Sequence, residues 1–211
     1  MKSRRQLLET LTCVALASAK KPRHGSSPLP VLSADGAKQT QALGAALKTF
    51  EAAPIDYVFF AVPHSERAAA IEMVIQLTGA IETGYSDLPD MGFPLTVREH
   101  EAVERIGASG YSSLGEAMCN HVDRDFLRSY AMERRGDILV ATRRRQSRHG
   151  IIFGLPIFIQ AIAWTFAKKR EDRRRIENSA PYPGHALQID VGSGTIRIPD
   201  EKRLLVAAQY K

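Results

Sequence analysis

The sequence predicts a mixed α+β fold in which short strands pack with helices. Three observations support this prediction. Hydrophobic residues make up 44% of the 211 residues, short β-branched runs alternate with longer stretches of helical periodicity, and turns containing Pro and Gly separate them. A chain of this length and composition can bury a substantial core, which excludes collagen-like and wholly disordered proteins. Two distant cysteines, Cys13 and Cys119, exclude a disulfide framework.

Residues 1–36 are predicted to form a flexible basic N-terminal arm and linker, followed by a single mixed domain over residues 37–211. The linker prediction rests on residues 20–36, which are rich in Pro, Ser and Gly. Two sub-units are possible within the domain, at residues 55–135 and 136–211.

The first part of the domain indicates a helix, a strand and a second helix. Residues 37–50 place apolar side chains at helical spacing. Residues 56–62 form a short aromatic and β-branched run, which is typical of a buried strand. Pro63 ends that strand, and a helix with Ser65 as its N-cap is predicted over residues 66–81.

The middle of the domain continues this alternation. Residues 93–97 alternate apolar and other side chains and predict a second strand, which a short helix follows. Ser113 and Glu116 have the spacing of a capping box, so another helix is predicted to begin there and to run to Arg134. A third strand is predicted at residues 137–142, which are rich in β-branched residues.

The apolar run at residues 151–167 is short for a membrane span and predicts a buried core helix with Pro156 in its first turn. Residues 187–198 surround a Gly-Ser-Gly turn and predict a terminal hairpin. We expect a cytoplasmic protein. As an alternative, Arg4-Arg5 followed by Ala17-Ser18-Ala19 resembles a twin-arginine export signal.

Residues 93–127 follow the order strand, helix, Gly-containing turn, helix. This order and these lengths resemble a ribbon-helix-helix unit, a fold in which paired strands from two units enter the major groove of DNA. Residues 137–170 resemble a strand-plus-helix half of the same fold, and tandem units in one chain occur among plasmid-transfer accessory proteins. The resemblance covers about 35–75 residues and implies a bacterial DNA-binding regulator or a plasmid-processing accessory factor.

The charge distribution favours the same function. Residues 134–175 hold twelve Lys and Arg against three acids, whereas residues 25–133 carry a net charge of −8. Such asymmetry indicates contact with nucleic acid, although an ordinary solvated surface also explains it. DNA is the favoured partner, and a homodimer is expected. The residues predicted to contact phosphates are Thr142, Arg143, Arg144, Arg145, Arg148, Lys168 and Lys169.

No residue is assigned a catalytic, cofactor-binding or metal-binding role, so an enzyme is the less favoured class. His64, Ser65 and Glu66 follow a predicted strand and allow a loop-borne site, but an N-cap and a first-turn acid also explain them. One enzymatic alternative stays open. The order of strand, basic loop and helix around Gly150 resembles the acetyl-CoA cradle of acyl-CoA-dependent N-acyltransferases.

Overall fold

The computed structural model describes residues 8–17, 19–20, 31–48, 55–63, 66–80, 90–93, 96–180 and 182–198. Within these ranges, a six-stranded mixed sheet carries helices on both faces, which confirms the predicted mixed α+β class. The strands of the sheet are β1 (Thr10–Ala15), β4 (Tyr57–Ala61), β5 (Asp90–Gly92), β6 (His149–Gly154), β7 (Ala186–Asp190) and β8 (Thr195–Arg197). A separate antiparallel pair consists of β2 (Ala19–Lys20) and β3 (Val31–Leu32). The helices are α1 (Ala34–Lys48), α2 (Arg67–Ala80), α3 (Val97–Ser109), α4 (Leu114–Cys119), α5 (His121–Arg145), α6 (Pro156–Phe166) and α7 (Arg170–Asn178).

The strand order of the sheet is β5-β4-β6-β1-β7-β8. Strands β1, β4, β5 and β6 run parallel, whereas β7 and β8 pair antiparallel at one side. The two central strands, β1 and β6, pair in register from Thr10 with His149 to Ala15 with Gly154. Apart from Thr10, Thr12 and His149, their residues are apolar or glycine, and all except Thr10 and His149 are buried, as expected of parallel strands that helices cover on both faces.

Two hydrophobic cores lie on opposite faces of this sheet. Helices α1 and α2 cover one face, where Leu43 and Met73 pack against alternate strand residues such as Phe60. Helices α3 to α7 cover the other face, where Leu127 and Ile162 are fully buried. Helix α1, the first helix after β1 in the chain, therefore lies on one face of the sheet. Helix α6, the first helix after β6, lies on the other face.

The two strands predicted at residues 93–97 and 137–142, on which the ribbon-helix-helix resemblance rested, are absent from the described residues. Thr96 is the N-cap of α3 and β5 ends earlier, at Gly92, so the described part of residues 93–97 contains no strand. Residues 137–142 lie inside α5, where the Thr142 hydroxyl donates to the carbonyl oxygen of Ile138 at 2.8 Å. Packing overrides the β-propensity of this run, because its buried residues continue the apolar stripe of a 25-residue helix.

Several element boundaries also differ from the sequence analysis. The Ser113 cap is present, but α4 ends at Cys119 and Asn120 caps a new helix, α5. Residues 151–154 belong to β6, so the core helix begins only at Pro156, which does occupy its first turn. The terminal hairpin is confirmed as β7 and β8.

Strand β1 comes from the region expected to be an arm and linker, residues 1–36. Thr10–Ala15 form a central strand of the sheet, so cleavage after Ala19 would remove that strand. The export alternative therefore finds no support in the fold. Among the described residues, no helix has the length and apolarity needed to cross a bilayer.

Candidate active site

The parallel strands end together at one edge of the sheet, here called the carboxyl edge. Ala15 of β1 and Ala61 of β4 both align with Gly154, the last residue of β6. In open α/β sheets, ligands bind beyond the carboxyl ends of the strands, where the connections of two neighbouring strands leave to opposite faces. Strands β1 and β6 meet this condition, so the carboxyl edge is the candidate site.

The described residues that directly follow these strands are apolar. Leu16 and Ala17 follow β1, Val62 follows β4, and Leu155 and Pro156 follow β6. Leu155 is the N-cap of α6 but its side chain makes no capping hydrogen bond, and Pro156 has no amide hydrogen to donate. The start of α6 therefore offers fewer amide donors to an anion than an ordinary helix N-terminus.

Gly154 allows α6 to approach the end of β6 closely. A Cβ atom on this residue would lie 2.7 Å from Cδ1 of Ile159 and 3.0 Å from the carbonyl oxygen of Ala61. Any side chain at this position would push the first turns of α6 away from the sheet. Gly154 is thus required for the shape of the carboxyl edge.

Arg67 brings a positive charge to the carboxyl edge. It is the first residue of α2, and its guanidinium carbon lies 4.9 Å from the centre of the Phe60 ring. The guanidinium also occupies the space that a side chain on Gly92 would need. Because Phe60 is in β4 and Gly92 ends β5, Arg67 lies across the ends of two parallel strands.

His185 is buried beside the end of β1. Its carbonyl oxygen accepts a hydrogen bond from the amide of Ala15 at 2.8 Å, and its ring meets the ring of Tyr182 edge-on at 4.8 Å. The side chain is 1% exposed, and neither ring nitrogen has a hydrogen-bond partner among the described residues. Burial lowers the pKa of His185 to about 4, so the imidazole is neutral at pH 7.

A second buried polar side chain, Gln160, lies on α6. Its amide nitrogen donates at 3.0 Å to both the carbonyl oxygen and the hydroxyl of Ser179. Its amide oxygen is buried without a partner among the described residues. Buried polar atoms without a hydrogen bond are costly and uncommon in proteins.

Two cavities lie near these elements. A cavity of about 240 Å³ opens beside Leu155 and Pro156 at the carboxyl edge. A larger one, of about 610 Å³, lies between α3 and α5. Charged side chains line the larger cavity, and Glu99 on its wall pairs with the buried Arg134 at 2.7 Å. Burial opposes the ionisation of Glu99, but the Thr96 amide and Arg134 hold its pKa below the usual value.

The basic residues predicted to bind nucleic acid lie at the opposite edge, where the parallel strands begin, here called the amino edge. Residues 143–145 are exposed in the last turn of α5, just before β6. Arg148 immediately precedes β6, and its guanidinium lies 3.6 Å from the carboxylate of Glu9. Lys168 follows α6 and donates to the carbonyl oxygen of Gly192 in the turn between β7 and β8.

Thr142 of the predicted set, and Arg135 of the basic segment around it, have structural roles. Thr142 is buried inside α5, where its side chain faces the helix carbonyls. Lys169 is exposed and is the N-cap of α7. Arg135 donates to the carbonyl oxygen of Thr165 at 2.9 Å and stacks over Phe166 at 5.1 Å. Arg135 therefore joins α5 to α6, as Arg134 joins α5 to Glu99 of α3.

Sequence reasoning missed Arg67 and His185. Arg67 directly follows the His64–Glu66 loop that was considered as a site, and His64 and Ser65 themselves lie outside the described residues. His185 follows a Pro-Gly break and gave no signal. Among the described residues, no cluster of three or more His, Cys, Asp or Glu side chains could hold a metal ion.

Neither a family model nor a curated protein matches the sequence. The fold, in contrast, is similar to solved structures of the histidine phosphatase fold. A phosphoglycerate mutase from Bacillus anthracis str. Sterne is 11% identical, with 97% of this chain and 100% of that one covered, at a TM-score of 0.54. A phosphoserine phosphatase from Entamoeba histolytica, in complex with 3-phosphoglyceric acid, is 9% identical, with 90% and 95% covered, at a TM-score of 0.51.

This likeness corrects the function predicted from the sequence. The ribbon-helix-helix resemblance and the nucleic-acid-binding function are wrong, because the similarity to phosphatase-fold structures extends over nearly the whole chain. The acyltransferase alternative finds no support either, since Gly150 lies inside β6 and not in a phosphate-binding loop. The chain has the fold of the histidine phosphatases, with the carboxyl edge as its candidate site.

Proposed function

We propose that this protein acts on a small phosphate monoester at the carboxyl edge, as a phosphatase or a phosphomutase. The observation that carries the proposal is the similarity of the whole fold to a phosphoglycerate mutase and to a phosphoserine phosphatase. The general location of ligand sites in open α/β sheets points to the same edge.

Arg67 is the residue that we expect to bind the phosphate. A guanidinium group presents two parallel N–H donors to phosphate oxygens, and its charge is not lost at any physiological pH. Arg67 also begins α2, where the helix dipole adds a partial positive charge. Its stacking on Phe60 keeps the guanidinium at the strand ends.

Phosphoryl transfer also needs a group that accepts the phosphoryl, and a neutral imidazole is suited to this role. His64 belongs by sequence to the connection between β4 and Arg67, and His24 to the connection that follows β2. Both lie outside the described residues, so they enter the proposal as positions to test. The solved structures include a histidine-to-alanine variant of the Entamoeba phosphoserine phosphatase in complex with phosphoserine.

A second candidate function is binding of a phosphorylated ligand without turnover. The apolar residues after β1 and β6 favour it, because Leu16, Leu155 and Pro156 cannot stabilise the charge of a phosphoryl group in the transition state. Enzymes of phosphoryl transfer depend largely on such charge stabilisation.

One experiment separates the two functions. The purified chain is incubated with phosphoserine, 3-phosphoglycerate and phenyl phosphate, and released phosphate is measured; binding is measured in parallel by calorimetry. Turnover that Arg67→Ala lowers about 100-fold, and that His64→Ala or His24→Ala abolishes, supports the enzyme. The matched control is His100→Ala, an exposed histidine on α3. Binding without turnover supports the second function, and neither binding nor turnover contradicts both.

A further inference from the structure

The smaller cavity is continuous with the carboxyl edge. Its wall includes Leu155 and Pro156, the first two residues beyond β6. Strand β6 is the hydrogen-bonded neighbour of β4, and the end of β4 leads into the segment that carries Arg67. Leu155 packs against both hydrophobic cores, so the cavity reaches the carboxyl edge from the face of α3 and α6, whereas Arg67 reaches the same edge from the face of α2.

The cavity is apolar on all sides that the described residues form. Helix α3 contributes Val103 and Ile106, and the first turn of α6 contributes Ile157 and Phe158. None of the lining residues carries a charge. A phosphate dianion would be strongly disfavoured here, because nothing replaces the water that it loses.

Among the lining residues, Tyr111 has a polar side-chain atom, its hydroxyl oxygen, and this hydroxyl already forms a hydrogen bond. Its hydroxyl donates to Oδ2 of Asp123 at 2.6 Å, and Arg105 donates to Oδ1 of the same carboxylate at 2.9 Å. Asp123 is 2% exposed, so this arrangement is fixed. The cavity therefore meets the apolar ring of Tyr111, while its hydroxyl is held by the acid.

We propose that this cavity binds the apolar alcohol portion of the phosphate monoester, so that the substrate is an aryl or aralkyl phosphate. The inference rests on the proposed function, which places the phosphate at the neighbouring strand ends. The volume of about 240 Å³ is sufficient, because an apolar cavity of about 150 Å³ accommodates benzene. Each methylene group transferred from water into the cavity increases affinity about fourfold.

The preference of the enzyme for esters tests this assignment. Benzyl phosphate should be hydrolysed with a kcat/KM at least about tenfold higher than that of methyl phosphate, because only the benzyl group reaches the cavity. Equal hydrolysis of the two esters overturns the inference and leaves the proposed function intact. Absence of both hydrolysis and binding with every ester overturns the proposed function and, with it, the assignment of the cavity to a substrate.

A second readout needs no phosphate chemistry. 4-Fluorobenzyl alcohol is titrated with the protein, and its ¹⁹F signal reports binding. Val103→Phe fills part of the cavity and should weaken binding of the alcohol at least about tenfold. The matched control is Val140→Phe, the same change at an exposed position of α5 that does not line the cavity. Binding that Val103→Phe leaves unchanged overturns the inference.

Val103→Leu is a milder substitution at the same position and shows whether a loss of binding results from misfolding. This change adds one methylene group to the cavity wall, and thermal unfolding of all three variants is measured beside the parent. The expected order of affinity for the alcohol is parent and Val140→Phe, then Val103→Leu, then Val103→Phe. Any other order among folded variants contradicts the assignment.

Discussion

The two edges of the sheet differ in charge, and the candidate site lies at the edge that carries less of it. The amino edge carries exposed charge, with residues 143–145, Arg148 and Lys168 around the starts of the strands. The described part of the carboxyl edge is mostly apolar, with Arg67 at the end of β4 and β5. Exposed charge is inexpensive and common on protein surfaces, so its abundance indicates solvation more often than function. A cation that lies among apolar residues at strand ends is the more informative arrangement.

The largest expected effect concerns Arg134, a basic residue with a structural role. Arg134→Ala should lower the free energy of unfolding by about 3–5 kcal/mol, because it leaves the buried Glu99 carboxylate without its partner. Arg144→Ala in the same helix, at an exposed position, should change it by less than about 0.5 kcal/mol. Urea unfolding of both variants measures the difference, and equal losses would contradict the structural role of Arg134.

The next effect concerns the two edges directly. Arg67→Ala should lower kcat/KM for a phosphate monoester about 100-fold, whereas Arg144→Ala should leave it unchanged. Arg67→Lys should recover only part of the activity, since an ammonium group cannot form the bidentate contact. A loss of activity on changing Arg144 alone would place the phosphate at the amino edge.

The third effect is a dependence of the free energy of unfolding on pH, which arises from His185 beside the end of β1. The pKa of His185 is about 4 in the folded protein and about 6.5 in the unfolded chain, so protonation favours unfolding. Its contribution to stability is full above pH 6.5 and is lost as the pH falls towards 4. Between pH 7 and pH 5 we expect a loss of about 2 kcal/mol.

His185→Phe removes the titrating group and should abolish most of that pH dependence. The exposed His100→Gln serves as the control and should retain it. The comparison uses urea unfolding at pH 7 and pH 5. A parent protein whose stability is the same at both pH values would show that His185 is not buried as described.

The smallest effect concerns two glycines. Gly154→Ala should destabilise the protein by about 1 kcal/mol or more, because its Cβ would collide with Ile159. Gly136→Ala in α5 meets no atom within 4 Å and should stabilise the protein by up to about 1 kcal/mol. Thermal unfolding measures both, and equal signs would contradict the close approach of α6 to β6.

Much of the fold was accessible from local patterns. The strand at residues 57–61, the helices α1 and α2, the Ser113 cap and the terminal hairpin follow from short-range spacing and turn residues. Residues 137–142 show where this fails. Their β-branched composition favours a strand, but the buried stripe that runs from Leu127 to Ala141 belongs to a longer helix. Only packing against the sheet decides between the two.

The candidate site could not be found in this way. It assembles residues that follow β1, β4 and β6 with His185, which directly precedes β7, and these residues are far apart in sequence. The sequence analysis did not predict strand β1, because the periodicity of a short apolar run in a basic region does not distinguish a strand from a helix. Without β1 the sheet has no centre, and the carboxyl edge cannot be recognised.

The most direct test of the central claim is to locate a bound phosphate monoester on the two edges. Amide resonances of isotope-labelled protein are recorded during titration with benzyl phosphate. The account predicts that shifts concentrate at the carboxyl edge, at the amides of Leu16, Leu155 and Arg67. Shifts that instead concentrate around residues 143–149 and Lys168 would contradict it.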